Sequence, residues 1–429
     1  MIQTAHSDAH SPGVERMLVA WSALGTAALL LVPLLGPVVL AGSMVMPLAL
    51  ADRRLLRERL LVPRRDTVLL LVASGYLAIN ATWSLAPRSA AMAVAVALLA
   101  TAALHVGAVA FALMRPRHLA ALVRGLVIGL VLGLAALCFE YVTHLSGQRA
   151  LARLLAALNV TALRVDAGTW EAPHNTGMTR NLGVVVLMVW IGAAALIGQG
   201  EGTMRRLQAG CLVLLAGVSV MLSPSATAKI GFLAGLAATV AACYVPRLVI
   251  AGTTALWVAL CATAVPIAHL LDRLGAYTWP WIAASGRHRI LIWAATSEWY
   301  WQAPVLGAGV ASARGMPLRD AAREAALNEI SPSAYLNWHA HNAYLQVWFE
   351  TGAVGALLML GIGLLAIHGI RHTDESLRPG LCGAFACLTL FIATGFSLWA
   401  AWYLSALAVV VLTARLVVAE KLTRTRKAP

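Results

Sequence analysis

The chain has 429 residues, of which 60% are hydrophobic and only 12% are charged. Soluble proteins carry about 25% charged residues, so this composition excludes a soluble globular enzyme, and its hydrophobicity excludes a disordered chain. The net charge of +14 would suggest nucleic-acid binding in a soluble protein. In a membrane protein such charge lies in the loops that set topology, so we expect membrane lipids as neighbours and no nucleic-acid partner.

Twelve apolar segments predict an all-α polytopic membrane protein. The predicted spans are residues 17–35, 37–51, 67–84, 89–113, 119–141, 181–198, 207–223, 227–245, 248–271, 343–370, 380–396 and 399–419. Two long loops interrupt them, residues 142–180 after span five and 272–342 after span nine. The chain is therefore divided into spans one to nine with the first loop (1–271), the large loop (272–342), and spans ten to twelve with the tail (343–429).

Basic residues are concentrated in alternate short connections, which predicts the orientation. The connection after span two holds six arginines between residues 53 and 65, whereas the next connection holds only Arg88. Basic short loops stay in the cytoplasm, and an even number of spans then places both termini there. The two long loops are predicted on the opposite, outer face.

The first long loop contains two basic elements. Leucines recur at helical spacing through residues 148–158 beside Arg149 and Arg153, which predicts an interfacial helix lying on the bilayer. Arg180 follows where span six meets the headgroups. Its side chain either extends to lipid phosphates or binds a ligand at the outer face.

A serine-rich turn at residues 223–226 precedes span eight. Lys229, the only lysine before residue 421, stands just inside the apolar run, where a charge requires a partner. The start of a helix, here with Ser225, is itself an anion site. Lys229 therefore either extends outward to the headgroups or contacts an anion.

The large loop holds a second cluster of basic residues. Ser285-Gly286 before an Ile/Leu/Trp run predicts a helix start. This helix would place Arg289 and Trp293 on one face, with Arg287 and His288 just before them. The glycines within residues 304–310 predict a tight turn and not a phosphate loop, because no Gly-Lys-Ser/Thr follows.

His341 stands at the start of span ten, between His339 and Asn342. Histidines two apart on a helix point in different directions, and no Cys or paired carboxylates complete a ligand set, so no metal site is predicted. Glu350 lies nine residues further on, about 13 Å along a helix axis. We interpret it as a packing or folding carboxylate, and His341 as either structural or chemically active.

Four of these residues are predicted at one depth on the outer face: Arg180, Lys229, Arg289 and His341. Three cations suit a bound diphosphate, and an imidazole suits removal of a hydroxyl proton. The aromatic residues of the large loop either stack on sugar rings or form an interfacial belt.

The motifs occur in a fixed order. They are Arg180-Asn181-Leu182-Gly183, Ser-x-Ser-x-x-Ala-Lys at 223–229, His288-Arg289-Ile290-Leu291-Ile292-Trp293 with Pro304-x-Leu306-Gly307-x-Gly309, and His341-Asn342-x-x-Leu345-Gln346-x-Trp348-x-Glu350-x-Gly352. Over about residues 170–370 this set resembles the O-antigen ligase and O-antigen polymerase superfamily of bacterial inner-membrane glycosyltransferases.

The resemblance implies a GT-C-like fold with a large periplasmic loop in the inner (cytoplasmic) membrane. It implies transfer of polysaccharide from undecaprenyl diphosphate to a sugar hydroxyl of lipid A–core, with no cofactor. Arg180 and Arg289 then bind the diphosphate, His341 is the catalytic base, and Lys229 stands where many members have arginine. Possible supporting residues are Ser225, Arg287, His288, His339 and Asn342.

Several alternatives stay open. An O-antigen polymerase uses the same chemistry with a carrier-linked glycan as acceptor, and a protein O-oligosaccharyltransferase glycosylates a protein. A transporter would have broken helices and mid-membrane charges. His339 remains an alternative to His341 as the base.

Overall fold

The computed structural model describes residues 12–157, 176–200, 202–315 and 339–425. Residues 158–175 of the first long loop and 316–338 of the second, including Tyr335 and Trp338, lie outside the described residues. The described ranges form fifteen α-helices. They are α1 (Pro12–Leu31), α2 (Gly36–Leu50), α3 (Arg53–Leu60), α4 (Arg65–Asn80), α5 (Pro87–Leu113), α6 (Pro116–Val142), α7 (Ser146–Ala157), α8 (Thr176–Gly198), α9 (Thr203–Met221), α10 (Ala226–Tyr244), α11 (Pro246–Arg273), α12 (Ala284–Tyr300), α13 (Ala343–Arg371), α14 (Arg378–Thr394) and α15 (Ala401–Thr425).

The all-α polytopic prediction is confirmed. Eleven stretches of the described chain are long and apolar enough to cross a membrane, and α14 is a shorter apolar helix of 17 residues. Each of the twelve predicted spans overlaps one of them. The basic connection after span two forms α3, which the span pattern did not predict and which begins where the Asp52 carboxylate accepts from the Arg54 and Leu55 amides. A helix does form at α7, and its position on a bilayer stays a prediction.

Helix α8 is the centre of the bundle. Its sequence is apolar on every side, and 94% of its most apolar window is buried within the protein. It contacts α6, α9, α14 and α15, and the Trp190 side chain is wholly enclosed. A helix that is apolar all round suits either a protein core or a membrane span, and its burial places α8 in the interior of the bundle, with Arg180 near its start.

Helices α10 and α14 approach each other closely through glycine. A Cβ at Gly383 of α14 would lie 2.8 Å from the carbonyl oxygen of Gly235 in α10, and a Cβ at Gly235 would lie 2.5 Å from the Trp190 ring. Small residues allow such backbone contact between membrane helices. The start of α10, with Lys229, is therefore fixed against the end of α14.

Helix α13 is broken at Gly352, whose φ of 63° and ψ of −164° are not helical. The glycine-containing segment 304–310 supplies the hydrogen bonds that the break removes. The Ala308 amide donates to the Phe349 carbonyl at 3.0 Å, and the Ala353 amide donates to the Pro304 carbonyl at 3.0 Å. Backbone groups inside a membrane need such partners, so the predicted tight turn also completes a membrane helix.

Gly352→Ala is expected to lower the melting temperature of the detergent-purified protein. The Gly352 conformation is essentially restricted to glycine and costs other residues about 1–3 kcal/mol. In addition, the new Cβ would lie 2.3 Å from the Val305 carbonyl oxygen. The matched control is Gly361→Ala in the same helix, where the nearest atom is a Leu69 side-chain carbon at 3.5 Å. Equal melting temperatures for the two variants would show that the break does not constrain the fold.

Candidate active site

The end of α14 joins the starts of two other helices. The Thr227 hydroxyl in the first turn of α10 donates to the Thr394 carbonyl at 2.9 Å. The Nδ1 atom of His341, just before α13, lies 3.1 Å from the carbonyl oxygen of Gly395. Consecutive backbone carbonyls at the end of α14 therefore bind the segments that carry Lys229 and His341.

The start of α8 reaches the same end of the bundle. A Cβ at Gly183, one turn from Arg180, would lie 2.8 Å from the Phe391 ring and 3.6 Å from the Phe396 ring. Phe391 belongs to the last turn of α14, and Phe396 follows Gly395 directly. Three of the four predicted site residues thus lie on helix starts that surround the end of α14.

The hydrogen bond to Gly395 assigns the two ring nitrogens of His341. A carbonyl only accepts, so Nδ1 carries the proton and Nε2 of the neutral ring has a free lone pair. The backbone of His341 has a φ of 49°, in the left-handed region. A non-glycine residue there costs of the order of 1–3 kcal/mol, and such strain is concentrated at functional sites.

Burial lowers the pKa of His341 well below its ordinary value of 6.5, and the nearby charges of His339 and Arg289 lower it further. Both effects disfavour the imidazolium, the first through desolvation and the second through like charge. The Gly395 hydrogen bond acts in the opposite direction and is the smaller effect. His341 is therefore a neutral imidazole at pH 7 and is able to accept a proton.

Two further histidines lie beside His341. The ring centroid of His339 is 3.8 Å from that of His341, and the ring centroid of His288 is 6.5 Å from it. The indole nitrogen of Trp293 donates to the Ala340 carbonyl at 2.6 Å, which joins α12 to the histidine segment. Within the described ranges, no three His, Cys, Asp or Glu side chains form a group that could hold a metal ion.

A cation without an anionic partner among the described residues, Arg289, lies near the imidazole. Arg289 is partly buried, and burial lowers the pKa of its guanidinium. Among the described residues, no hydrogen bond or ion pair satisfies the side chains of Arg289, Arg287 or Lys229, and the Nε atoms of both arginines are buried. A desolvated cation without a counter-charge is costly, so this end of the bundle suits an anionic ligand.

Ser225 and Asn342 both cap helices. The Ser225 hydroxyl accepts from the Ala228 amide at 3.3 Å, and the Asn342 side-chain oxygen accepts from the Leu345 amide at 3.1 Å. Such caps satisfy amides that have no partner inside the helix. They fix the first turns of α10 and α13, whose positive dipole ends lie beside the end of α14.

Sequence reasoning missed a buried polar network below the site. The Glu350 carboxylate accepts from the Trp399 indole, from the Gln346 amide at 3.1 Å and from the Ala313 backbone amide at 3.0 Å. Gln346 also donates to the Ser397 hydroxyl at 3.0 Å and accepts from the Leu398 amide at 3.0 Å. The network ties α13 to the segment that follows Gly395. The available signal was a carboxylate within a predicted span, which requires specific partners.

Residues 211–360 match a family model described as O-antigen ligase. The match supports the resemblance of this part of the chain to the O-antigen ligase superfamily. The matched segment contains Lys229, Arg289, His341 and Glu350, whereas Arg180 precedes it. No curated protein matches the chain. The match supports a function of the O-antigen ligase or polymerase kind, and thus a lipid-linked glycan as substrate.

Glu350→Gln is expected to lower the melting temperature. The amide nitrogen would oppose one of the N–H donors that now meet the carboxylate, and an unsatisfied buried polar group costs about 1–3 kcal/mol. The control is Glu375→Gln. Because the Glu375 side chain is 93% exposed, this variant should have the melting temperature of the wild type. A Glu350→Gln melting temperature equal to that of Glu375→Gln would contradict the network.

Proposed function

We propose that the protein is an O-antigen ligase, which transfers polysaccharide from undecaprenyl diphosphate to a sugar hydroxyl of lipid A–core. The observation that carries the proposal is the neutral imidazole of His341 beside Arg289, a cation without an anionic partner in the described chain. Both residues lie within the segment that matches the family. A base next to an anion site is what transfer from a diphosphate to a hydroxyl requires.

In this reaction, Nε2 of His341 removes the proton of the acceptor hydroxyl. The hydroxyl oxygen attacks the anomeric carbon of the donor sugar while the bond from that carbon to the diphosphate oxygen breaks. The bonding electrons leave with the diphosphate, and the proton remains on the imidazole. Attack from the face opposite the leaving group inverts the anomeric configuration.

Arg180, Arg289 and Lys229 bind the diphosphate and stabilise the charge that develops as it leaves. Such stabilisation by fixed cations makes a metal ion and a general acid unnecessary for this step. Arginine binds phosphate oxygens through two parallel hydrogen bonds, whereas lysine acts as a point charge. Arg287, His288 and His339 add positive or polar character, and Ser225 and Asn342 act by capping the helices.

We place the protein in the bacterial inner membrane, with a GT-C-like arrangement of spans. The alternating basic connections favour cytoplasmic termini, and the site end of the bundle then faces the periplasm. The donor diphosphate and the acceptor sugar meet at that face, at the level of the headgroups. The two long loops would lie on the same side as the site.

Arg180→Ala, Arg289→Ala and His341→Ala are each expected to abolish transfer while the protein remains folded and inserted. The purified enzyme is given lipid-linked glycan and lipid A–core, and the ligated product is quantified on gels. Loss of a general base alone reduces the rate by about 10²–10⁴-fold. Matched controls are Arg247→Ala and His372→Ala. Both side chains are exposed; Arg247 lies at the start of α11 and His372 directly follows α13, at the ends of these helices that lie away from the site.

Three outcomes contradict parts of the proposal. Wild-type transfer by all three site variants would remove the site assignment. Chain growth without lipid A–core would identify a polymerase. Lys229→Arg should keep more activity than Lys229→Ala, and equal activity of the two would show that the charge of Lys229 is not used.

The pH dependence should differ between the free enzyme and the donor complex. The neutral imidazole is active, so activity falls as the pH decreases through the pKa of His341. For kcat/KM, which reports the free enzyme, the midpoint should lie below pH 6.5, because the pKa is lowered from that value. A bound diphosphate favours the imidazolium, so the midpoint for kcat should lie at a higher pH than that for kcat/KM.

His339→Gln serves as the control for this pH profile. It removes one of the charges that lower the pKa of His341, so the midpoint for kcat/KM should rise while transfer persists. Loss of transfer as complete as in His341→Ala would assign the base to His339. A wild-type kcat/KM midpoint above pH 6.5 would contradict the environment described for His341.

A further inference from the structure

A groove of about 400 Å³ lies between α11, α12 and α13, outside the site described above. Ala262, Val265 and Pro266 of α11 line it together with Trp348 of α13, while Tyr300 at the end of α12 and Trp301 directly after it form another wall. Tyr300 and Trp348 contact each other edge to face, with ring centroids 5.7 Å apart. A volume of this size is that of a binding pocket for a small ligand or part of a lipid.

The groove is chemically different at its two ends. Ala262, Val265 and Pro266 give the inner part an apolar surface, whereas His269 and Arg273 line the outer part. Ala262 and Arg273 are separated by about 16 Å along the helix at 1.5 Å per residue. The groove therefore offers a long apolar surface that ends in a cation and an imidazole, which complements an acyl chain with a phosphate at its head.

A hydrogen bond relates the depth of the groove to that of His341. The Trp348 indole donates to the Cys261 carbonyl at 2.5 Å, so these two residues lie at one level. From that level His341 is about 10 Å and Arg273 about 18 Å along their helices towards the same end of the bundle. A phosphate at Arg273 would therefore lie about 8 Å further towards that end than the imidazole, with His269 about 2 Å beyond the imidazole.

The groove is separate from the residues proposed to bind the donor diphosphate. Its lining comes from α11, the end of α12 and α13, and it does not include Arg180, Lys229 or Arg289. Helix α12 also carries Arg289, and α13 begins just after His341, so the groove and the site share two helices. Transfer between two membrane-anchored lipids requires a second lipid position, and none of the donor cations lines this groove.

We propose that this groove binds an acyl chain of the acceptor lipid, with a phosphate of its headgroup on Arg273 and His269. This proposal rests on the proposed function, because it assigns the acceptor of that reaction to a position. The apolar wall binds the chain together with the aromatic rings of Tyr300 and Trp348, and the cationic end binds the phosphate. The headgroup sugars then lie beside His341.

The test compares Ala262→Trp, which fills the groove, and Arg273→Ala, which removes the cation, with the wild type. Arg273 is exposed, so its replacement leaves the fold intact. Each variant should raise the KM for lipid A–core by about tenfold or more, with kcat and the KM for the donor unchanged. The matched controls are Leu256→Trp and Arg247→Ala on the same helix, outside the groove, and both should behave like the wild type.

An acceptor without acyl chains separates recognition of the lipid from recognition of the sugar. Wild type and Ala262→Trp should use this deacylated core with equal efficiency. A raised KM for the undecaprenyl-linked donor would show instead that the groove binds the prenyl chain and would overturn the proposal. Unchanged kinetics for both substrates in both variants would overturn it as well.

Direct binding distinguishes failure of this proposal from failure of the proposed function. Native mass spectrometry of the detergent-purified protein with added lipid A should show less retained lipid for Ala262→Trp and Arg273→Ala than for Leu256→Trp. Equal retention would refute the groove, whatever the activity. Retention that depends on the groove, in a wild-type protein that transfers no glycan, would leave the groove valid and refute the ligase reaction.

Discussion

The hydrogen bond between the His341 ring and the Gly395 carbonyl is the interaction on which the site depends. It fixes which ring nitrogen carries the proton, and it joins the start of α13 to the end of α14. The carbonyl is itself held in place, because the residues after Gly395 are bound by Gln346 and Glu350. A strained backbone at His341 persists because these contacts over-determine it. The buried network below the site and the imidazole above it therefore form one structural unit.

Charge is the second constraint. An apolar bundle in a membrane gives a cation few partners, and the described chain provides no acid for Arg289, Arg287 or Lys229. Arg289 lowers the pKa of the neighbouring His341 imidazole in the free protein, and a bound anion would reverse that effect. The same arginine therefore accounts for anion binding and for adjustment of the base. This coupling gives a physical reason for an arginine without an acid beside the histidine.

Several site features were predictable because they are local. The common face of Arg289 and Trp293 follows from helical spacing, and the start of α10 follows from the serine-rich turn. The glycines of residues 304–310 predicted a turn, but not the backbone hydrogen bonds that this turn makes with the break at Gly352. Glu350 was interpreted as a packing carboxylate, yet its partners Ala313 and Trp399 come from distant segments. Hydropathy and periodicity report burial along one helix and contain no information on which helices are neighbours.

By itself, the sequence determined the all-helical membrane class, the twelve apolar segments and the resemblance of its middle part to the O-antigen ligase superfamily. Each depends on composition, apolar run length or ordered motifs, and a bilayer requires the backbone of an apolar run to satisfy its own hydrogen bonds. Only the tertiary structure decided that the starts of α8, α10 and α13 surround the end of α14, and that a groove opens beside α11. Packing between helices depends on glycine contacts and side-chain shape, and these act across segments that lie more than a hundred residues apart in the chain.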